Sequence, residues 1–128
     1  MALTLDKLRE LTTQAHATAE AARSVADQHA KDKAARLARR HRFLADQIIE
    51  RLELRAEKAA LKESRQCQVM RLRSARDFSY SQPVTPATLT GVARLVWDDL
   101  DKNKLPLILL EWDDGVGMRS GWDIYLQW

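Results

Sequence analysis

Residues 1–80 contain neither glycine nor proline; the first proline is Pro83 and the first glycine is Gly91. Both residues interrupt helices, so a stretch this long without them, rich in Ala, Leu, Arg, Lys and Glu, implies one very long helix or a helical hairpin. Cysteine is almost absent as well. Cys67 stands alone, which excludes an intramolecular disulfide. The longest strongly apolar run, Leu107 to Leu110, is far short of the roughly 20 residues a bilayer span requires. No charged segment followed by an apolar one stands near Met1. The expectation is a cytoplasmic protein without a membrane partner. A chain of 128 residues has room for one modest core.

Charge is divided along the chain. Residues 1–76 carry 17 Lys and Arg against 10 Asp and Glu, a balance of +7, whereas residues 77–128 carry 4 against 8, a balance of −4. The expected organisation is therefore a basic helical region, 1–76, and a small acidic, aromatic-rich α+β unit, 77–128, joined into one composite domain if the two dock on each other. Opposite signs suit either such docking or two different partners, the basic part favouring anionic surfaces.

Thr4 is a suitable N-cap, with Asp6 in the first turn of the helix it opens. Apolar residues then recur at Leu5, Leu8, Leu11, Ala15, Ala19, Ala22 and Val25 or Ala26, one face of a helix. The seam lapses in the polar stretch Gln28 to Lys33. It resumes through Leu37, Leu44, Ile48, Leu52, Ala56 and Ala59. Two helices, about 4–28 and 34–65, are expected to fold into an antiparallel hairpin; the competing form is a continuous rod of about 60 residues, roughly 90 Å at 1.5 Å per residue, paired as a coiled coil. Residues 66–73 alternate like a strand but also suit a continuing helix. Ser79 to Pro86 reads as a linker, and Thr85 with Pro86 opens a helix to about Asp101 whose apolar face is Leu89, Val92, Val96 and Leu100. Leu105 to Trp112 and Trp122 to Trp128 read as the strands of a hairpin turning at Asp114-Gly115. Seven of the eight aromatics fall in residues 78–128, so the core of this part is expected on Trp97, Trp112, Trp122 and Trp128. The fold class is α+β: a long N-terminal helical hairpin or rod, then a small helix plus β-hairpin unit.

Catalytic patterns are sparse. His16, His29 and His41 have no metal-ligand spacing unless a hairpin turn brings the last two together. Leu109-Leu110-Glu111-Trp112-Asp113 has the look of a metal-nuclease strand, but Asp113 stands where a phosphate-steadying lysine is needed. The remaining acidic edge, Asp98, Asp99, Asp101 and Asp114, suits a solvated turn or mimicry of nucleic-acid phosphates. Asp114-Gly115-Val116-Gly117 lacks the ending of a phosphate loop, and Cys67 has no histidine near it in sequence. No cofactor and no metal is expected.

The functional expectation is a noncatalytic protein-interaction module, an accessory or inhibitory factor of the kind small bacterial and phage proteins often are. It would bind a partner protein, or a second copy as a homodimer, through the seam Leu8, Leu11, Ala15, Ala22, Leu37, Leu44 and Ile48. The alternative is a nucleic-acid-binding accessory protein. Lys33, Arg36, Arg39, Arg40 and Arg42 would track phosphates as a positive stripe, with Arg71, Arg73 and Arg76 as a second patch. A metal-dependent nuclease using Glu111 and Asp113 is the third class.

Overall fold

A computed structural model describes residues 3–117 and 119–128. The elements are α1 (Leu5–Leu61), β1 (Gln66–Arg71), a short 3-10 turn (Pro86–Thr88), α2 (Gly91–Lys102), β2 (Leu107–Asp113) and β3 (Ser120–Gln127). This is an α+β arrangement. The expected helical hairpin is corrected to one uninterrupted helix of 57 residues. Gln28 to Lys33 interrupts the apolar seam without offering a residue that breaks the backbone, and Gln28 Nε2 donates to Asp32 Oδ1 at 3.0 Å within the helix. Thr4 caps the start: its Oγ1 accepts from the Lys7 N–H at 3.2 Å.

Both helices end in the same way. The Ser64 N–H donates to the Ala59 carbonyl (2.9 Å) and the Glu63 N–H to the Ala60 carbonyl (3.0 Å). In α2 the Leu105 N–H donates to Leu100 (3.2 Å) and the Lys104 N–H to Asp101 (2.9 Å). These are Schellman closures, and the residue each places in the left-handed region is Glu63 (φ 62°) or Lys104 (φ 59°), where glycine is the usual choice.

The chain divides into two compact units, Met1–Ala38 and Arg39–Trp128. The first is the N-terminal part of α1, and every residue described there is exposed. The second contains the rest of α1 and everything after it. Its sheet has the order β1-β3-β2 with both neighbours antiparallel. Met70 of β1 and Leu109 of β2 both pair with Ile124 of β3, and a bulge in β1 lies between Gln68 and Met70. Residues 66–71 are thus a strand. The turn expected at Asp114-Gly115 is wider: the Asp114 N–H donates to the Arg119 carbonyl at 3.0 Å, with Gly115 (φ 77°) and Gly117 (φ 74°) inside the loop.

The helix expected from Pro86 is interrupted. Thr88 Oγ1 accepts from the Thr85 N–H (2.9 Å) and closes a separate turn, Leu89 is extended, and α2 begins at Gly91. The reason is a tether from outside. Asp77, fully buried, accepts from the Ala93 N–H at 3.1 Å, while Thr90 Oγ1 donates to the Arg76 carbonyl at 2.8 Å. Asp77 therefore caps α2 from the preceding loop, at the end where the helix dipole favours a carboxylate. Gly91 (φ 55°) lies so close to that loop that a Cβ would stand 2.2 Å from the Arg76 carbonyl oxygen.

The expected tryptophan core is also corrected. The core is mainly aliphatic: Val69 and Leu72, Val92, Val96 and Leu100 of α2, Ile124 and Leu126 of β3, with Ala45 and Leu52 of α1 and Phe78. Trp97 and Trp122 pack at its margin, and Trp128 is 44% exposed. Trp112 misses it by strand parity. Side chains alternate across a sheet, so Leu107 and Leu109 share one face while Trp112, opposite Gly121, lies on the other. Among the described residues no helix is long and apolar enough to cross a membrane.

Candidate functional site

Three surfaces built from α1 and the sheet hold most of the residues singled out from the sequence. In the first unit, Leu8, Leu11, Ala15, Ala22 and Leu37 are all exposed. With Ala19, Ala26, Ala30 and Lys33 they form a row at Leu8, Leu11, Ala15, Ala19, Ala22, Ala26, Ala30, Lys33 and Leu37. The steps repeat as three, four, four, an 11-residue period that matches the α-helix more closely than seven does, so the row stays on one face. Lys33 is its one polar member. Leu44 and Ile48 have a different place: they are partly buried against the core of the second unit.

The basic residues also separate. Lys33, Arg36, Arg39 and Arg40 are exposed. Arg42 is engaged within the second unit, with Nη2 at 2.6 Å from Asp46 Oδ1 and bonded to the Asp99 carboxylate on α2. The bonds from Asp99 and then Asp46 raise the Arg42 guanidinium above its ordinary range. Arg71 lies on the outer face of the sheet, 4.1 Å above the Trp112 ring, with Nε 3.0 Å from the buried Asp123, whose hydrogen bond raises its affinity for the proton. Gln68 Nε2 also donates to Asp123 at 3.0 Å. Basic and acidic parts of the chain therefore meet in one molecule, at Arg42–Asp99 and at Arg71–Asp123.

A groove of about 610 Å³ runs between α1 and β1 in the second unit. Arg51, Arg55 and Lys58 line the helix side; Arg71, Arg73 and Arg76 line the other. Its apolar lining comes from Ile48, Leu54, Val69 and Met70, and no carboxylate is part of it. Arg55 Nη2 donates to the Val69 carbonyl at 3.0 Å, which aims the guanidinium across the groove. Arg76 is spoken for, with Nη2 2.8 Å from Asp77 Oδ2. Arg71, Arg73 and Arg76 are the patch expected from the sequence, whereas Arg51, Arg55 and Lys58 join them only in the fold. Their spacing of four and three residues was a signal that one helix face is basic; which strand faces it was not readable.

The acidic edge is dispersed. Asp98 pairs with Arg94 (3.2 Å) and Asp99 with Arg42, while Asp101 and Glu111 are exposed. Asp113 and Asp114 hold the hairpin loop, accepting from the N–H groups of Gly115 (2.8 Å) and Val116 (3.0 Å). His16 lies 3.0 Å from Glu20, and the hairpin turn that would have brought His29 to His41 is not formed. Among the described residues no group of three or more His, Cys, Asp or Glu side chains is placed to hold a metal ion. Comparison with protein-family models, with curated proteins and with solved structures found no match.

Proposed function

We propose that this chain is a noncatalytic interaction module whose first unit pairs with the same segment of a second copy. One observation carries the reading: the seam of α1 is exposed along the whole first unit, with Leu8 44%, Leu11 50% and Leu37 53% accessible. An isolated helix is marginal in water, and helical stability in proteins comes mainly from packing an apolar face. Five alanines in the row allow a second backbone to come close, and the leucines near its two ends supply apolar area. An 11-residue period suits a straight or slightly right-handed pair.

Charge selects the direction. Residues 31–40 carry Lys31, Lys33, Arg36, Arg39 and Arg40 against Asp32 alone, so a parallel pair in register sets this cluster against itself. An antiparallel pair sets it against residues 5–14, where Lys7 and Arg9 are balanced by Asp6 and Glu10. In that register Leu8 meets Leu37, Ala15 meets Ala30 and Ala19 meets Ala26. Such a pair presents two copies of the second unit to a partner, in keeping with an accessory or inhibitory factor. Ala15→Glu/Ala26→Glu tests the pairing, because both positions are exposed and the substitution leaves the second unit intact. The expected outcome is a halved solution mass with the sheet's near-ultraviolet signal retained; an unchanged mass rejects the pairing.

A further inference from the structure

We infer that the groove between α1 and β1 in the second unit holds the sugar–phosphate backbone of a single-stranded nucleic acid. The inference does not depend on the pairing of the first unit.

The groove carries unmatched positive charge. Of the six cations lining the groove, Arg71 is matched by Asp123 and Arg76 by Asp77. Arg51, Arg55, Lys58 and Arg73 form no ion pair with a carboxylate among the described residues. The helix is arranged to keep it so. Both charged i,i+4 pairs within α1 from residue 50 onward are like-signed: Arg51 with Arg55 and Glu53 with Glu57. Such pairs weaken a helix, whereas an alternating order would have strengthened it. The acids Glu50 and Glu53 line a separate depression with Asp46 and Asp99. A local conflict of this kind, offset within the chain only by the hydrogen bond from Arg55 to the Val69 carbonyl, is expected of a binding surface.

Spacing and lining choose the ligand. Arg51 to Lys58 covers about 10 Å of helix axis at 1.5 Å per residue. That length spans about two to three consecutive phosphates of one strand. Arg73 faces them from across the groove. The apolar lining distinguishes a single strand from a duplex: Leu54 is 62% exposed beside Ile48 and Met70, and only unpaired bases have faces free to cover it. No aromatic side chain lines the groove, so binding is electrostatic and independent of sequence rather than built on stacking.

Four phosphate contacts imply a salt slope of about −2.8 on a log–log plot, hence about a 50-fold weakening between 50 and 200 mM salt. The test is fluorescence anisotropy of a labelled 20-nucleotide mixed-sequence DNA strand, its duplex, and a polyglutamate competitor, using the full chain. The expected result is saturable binding of the single strand, tighter than of the duplex and not displaced by polyglutamate at equal charge concentration. Arg51→Gln/Lys58→Gln/Arg73→Gln, with helicity checked by circular dichroism, should bind at least tenfold more weakly at 50 mM salt and lower the slope by about 2 units, at roughly 0.7 per lost contact. Leu54→Glu, on an exposed side chain, should weaken the single strand at least fivefold. No binding at 50 mM salt, equal or better binding of the duplex, or displacement by polyglutamate overturns the inference. So does a smaller loss in either variant, or a control, Arg36→Gln/Arg39→Gln/Arg40→Gln, that takes more of the slope than the groove variant.

Discussion

Removing the Asp77 carboxylate should damage the second unit more than any other single polar substitution in it. Asp77 is fully buried and accepts four hydrogen bonds: from the N–H groups of Arg73 (2.8 Å) and Ala93 (3.1 Å) and from Nε (3.0 Å) and Nη2 (2.8 Å) of Arg76. In Asp77→Ala the two backbone donors lose their acceptor, and Arg76, 23% exposed, is left as a largely buried charge without its partner. Breaking a buried pair from one side costs about 3–5 kcal/mol, a range that already includes the orphaned donors. With a urea m value of about 1.5 kcal/mol/M, the midpoint should fall by roughly 2–3 M. Asp77→Asn should fall in between, because an amide oxygen still accepts but carries no charge for Arg76 or for the start of α2. The assay is urea unfolding followed by tryptophan fluorescence, with Trp97 on α2 as an internal reporter. A loss below about 1 kcal/mol for Asp77→Ala would refute the assignment of this carboxylate as the outside cap of α2.

Arg42→Gln offers the contrast: Arg42 and Asp99 are 39% and 38% exposed, so solvent screening should hold the cost under about 1 kcal/mol, and 0.5 M salt should shrink it further in the same unfolding assay. Gly91→Ala must place a Cβ against the Arg76 carbonyl at a positive φ, and unfolding should show a loss of at least about 2 kcal/mol with α2 the first element to exchange its amides. Glu63→Gly and Lys104→Gly should each stabilise by about 1 kcal/mol in thermal or urea unfolding, because each relieves an L-residue held in the left-handed region at a helix end.

What was readable in the sequence was mostly local. The missing glycine and proline announced a helical N-terminal region, Thr4 announced its start, and the spacing of Val92, Val96 and Leu100 marked the buried face of α2, with Leu89 buried just ahead of it. The hairpin of β2 and β3 followed from a continuous apolar run, a Gly-containing turn and then alternation from Trp122 to Trp128. The break between the 3-10 turn and α2 was not readable, because its cause is a carboxylate 16 residues away that reaches Ala93 only in the folded chain. The tryptophans misled for a related reason: aromatic mass suggests a core, but parity along the strand decides the face, and register sets Trp112 over Gly121. The one-helix outcome turned on the difference between a lapse in hydrophobicity and a break in the backbone, which Gln28 to Lys33 separates cleanly. Of the candidate surfaces, the stripe from Lys33 to Arg40 could be drawn from helical spacing alone. The groove needed the pairing of α1 with β1, a long-range contact on which Arg51, Arg55 and Lys58 are silent in sequence.

Light scattering of the full chain at about 50 µM in 150 mM salt tests most directly whether the exposed face of α1 pairs with a second copy. A mass near twice the 14.7 kDa of one chain is the expected result. A single-chain mass at that concentration, unchanged on raising the salt to 0.5 M, would contradict the pairing of this face with a second copy.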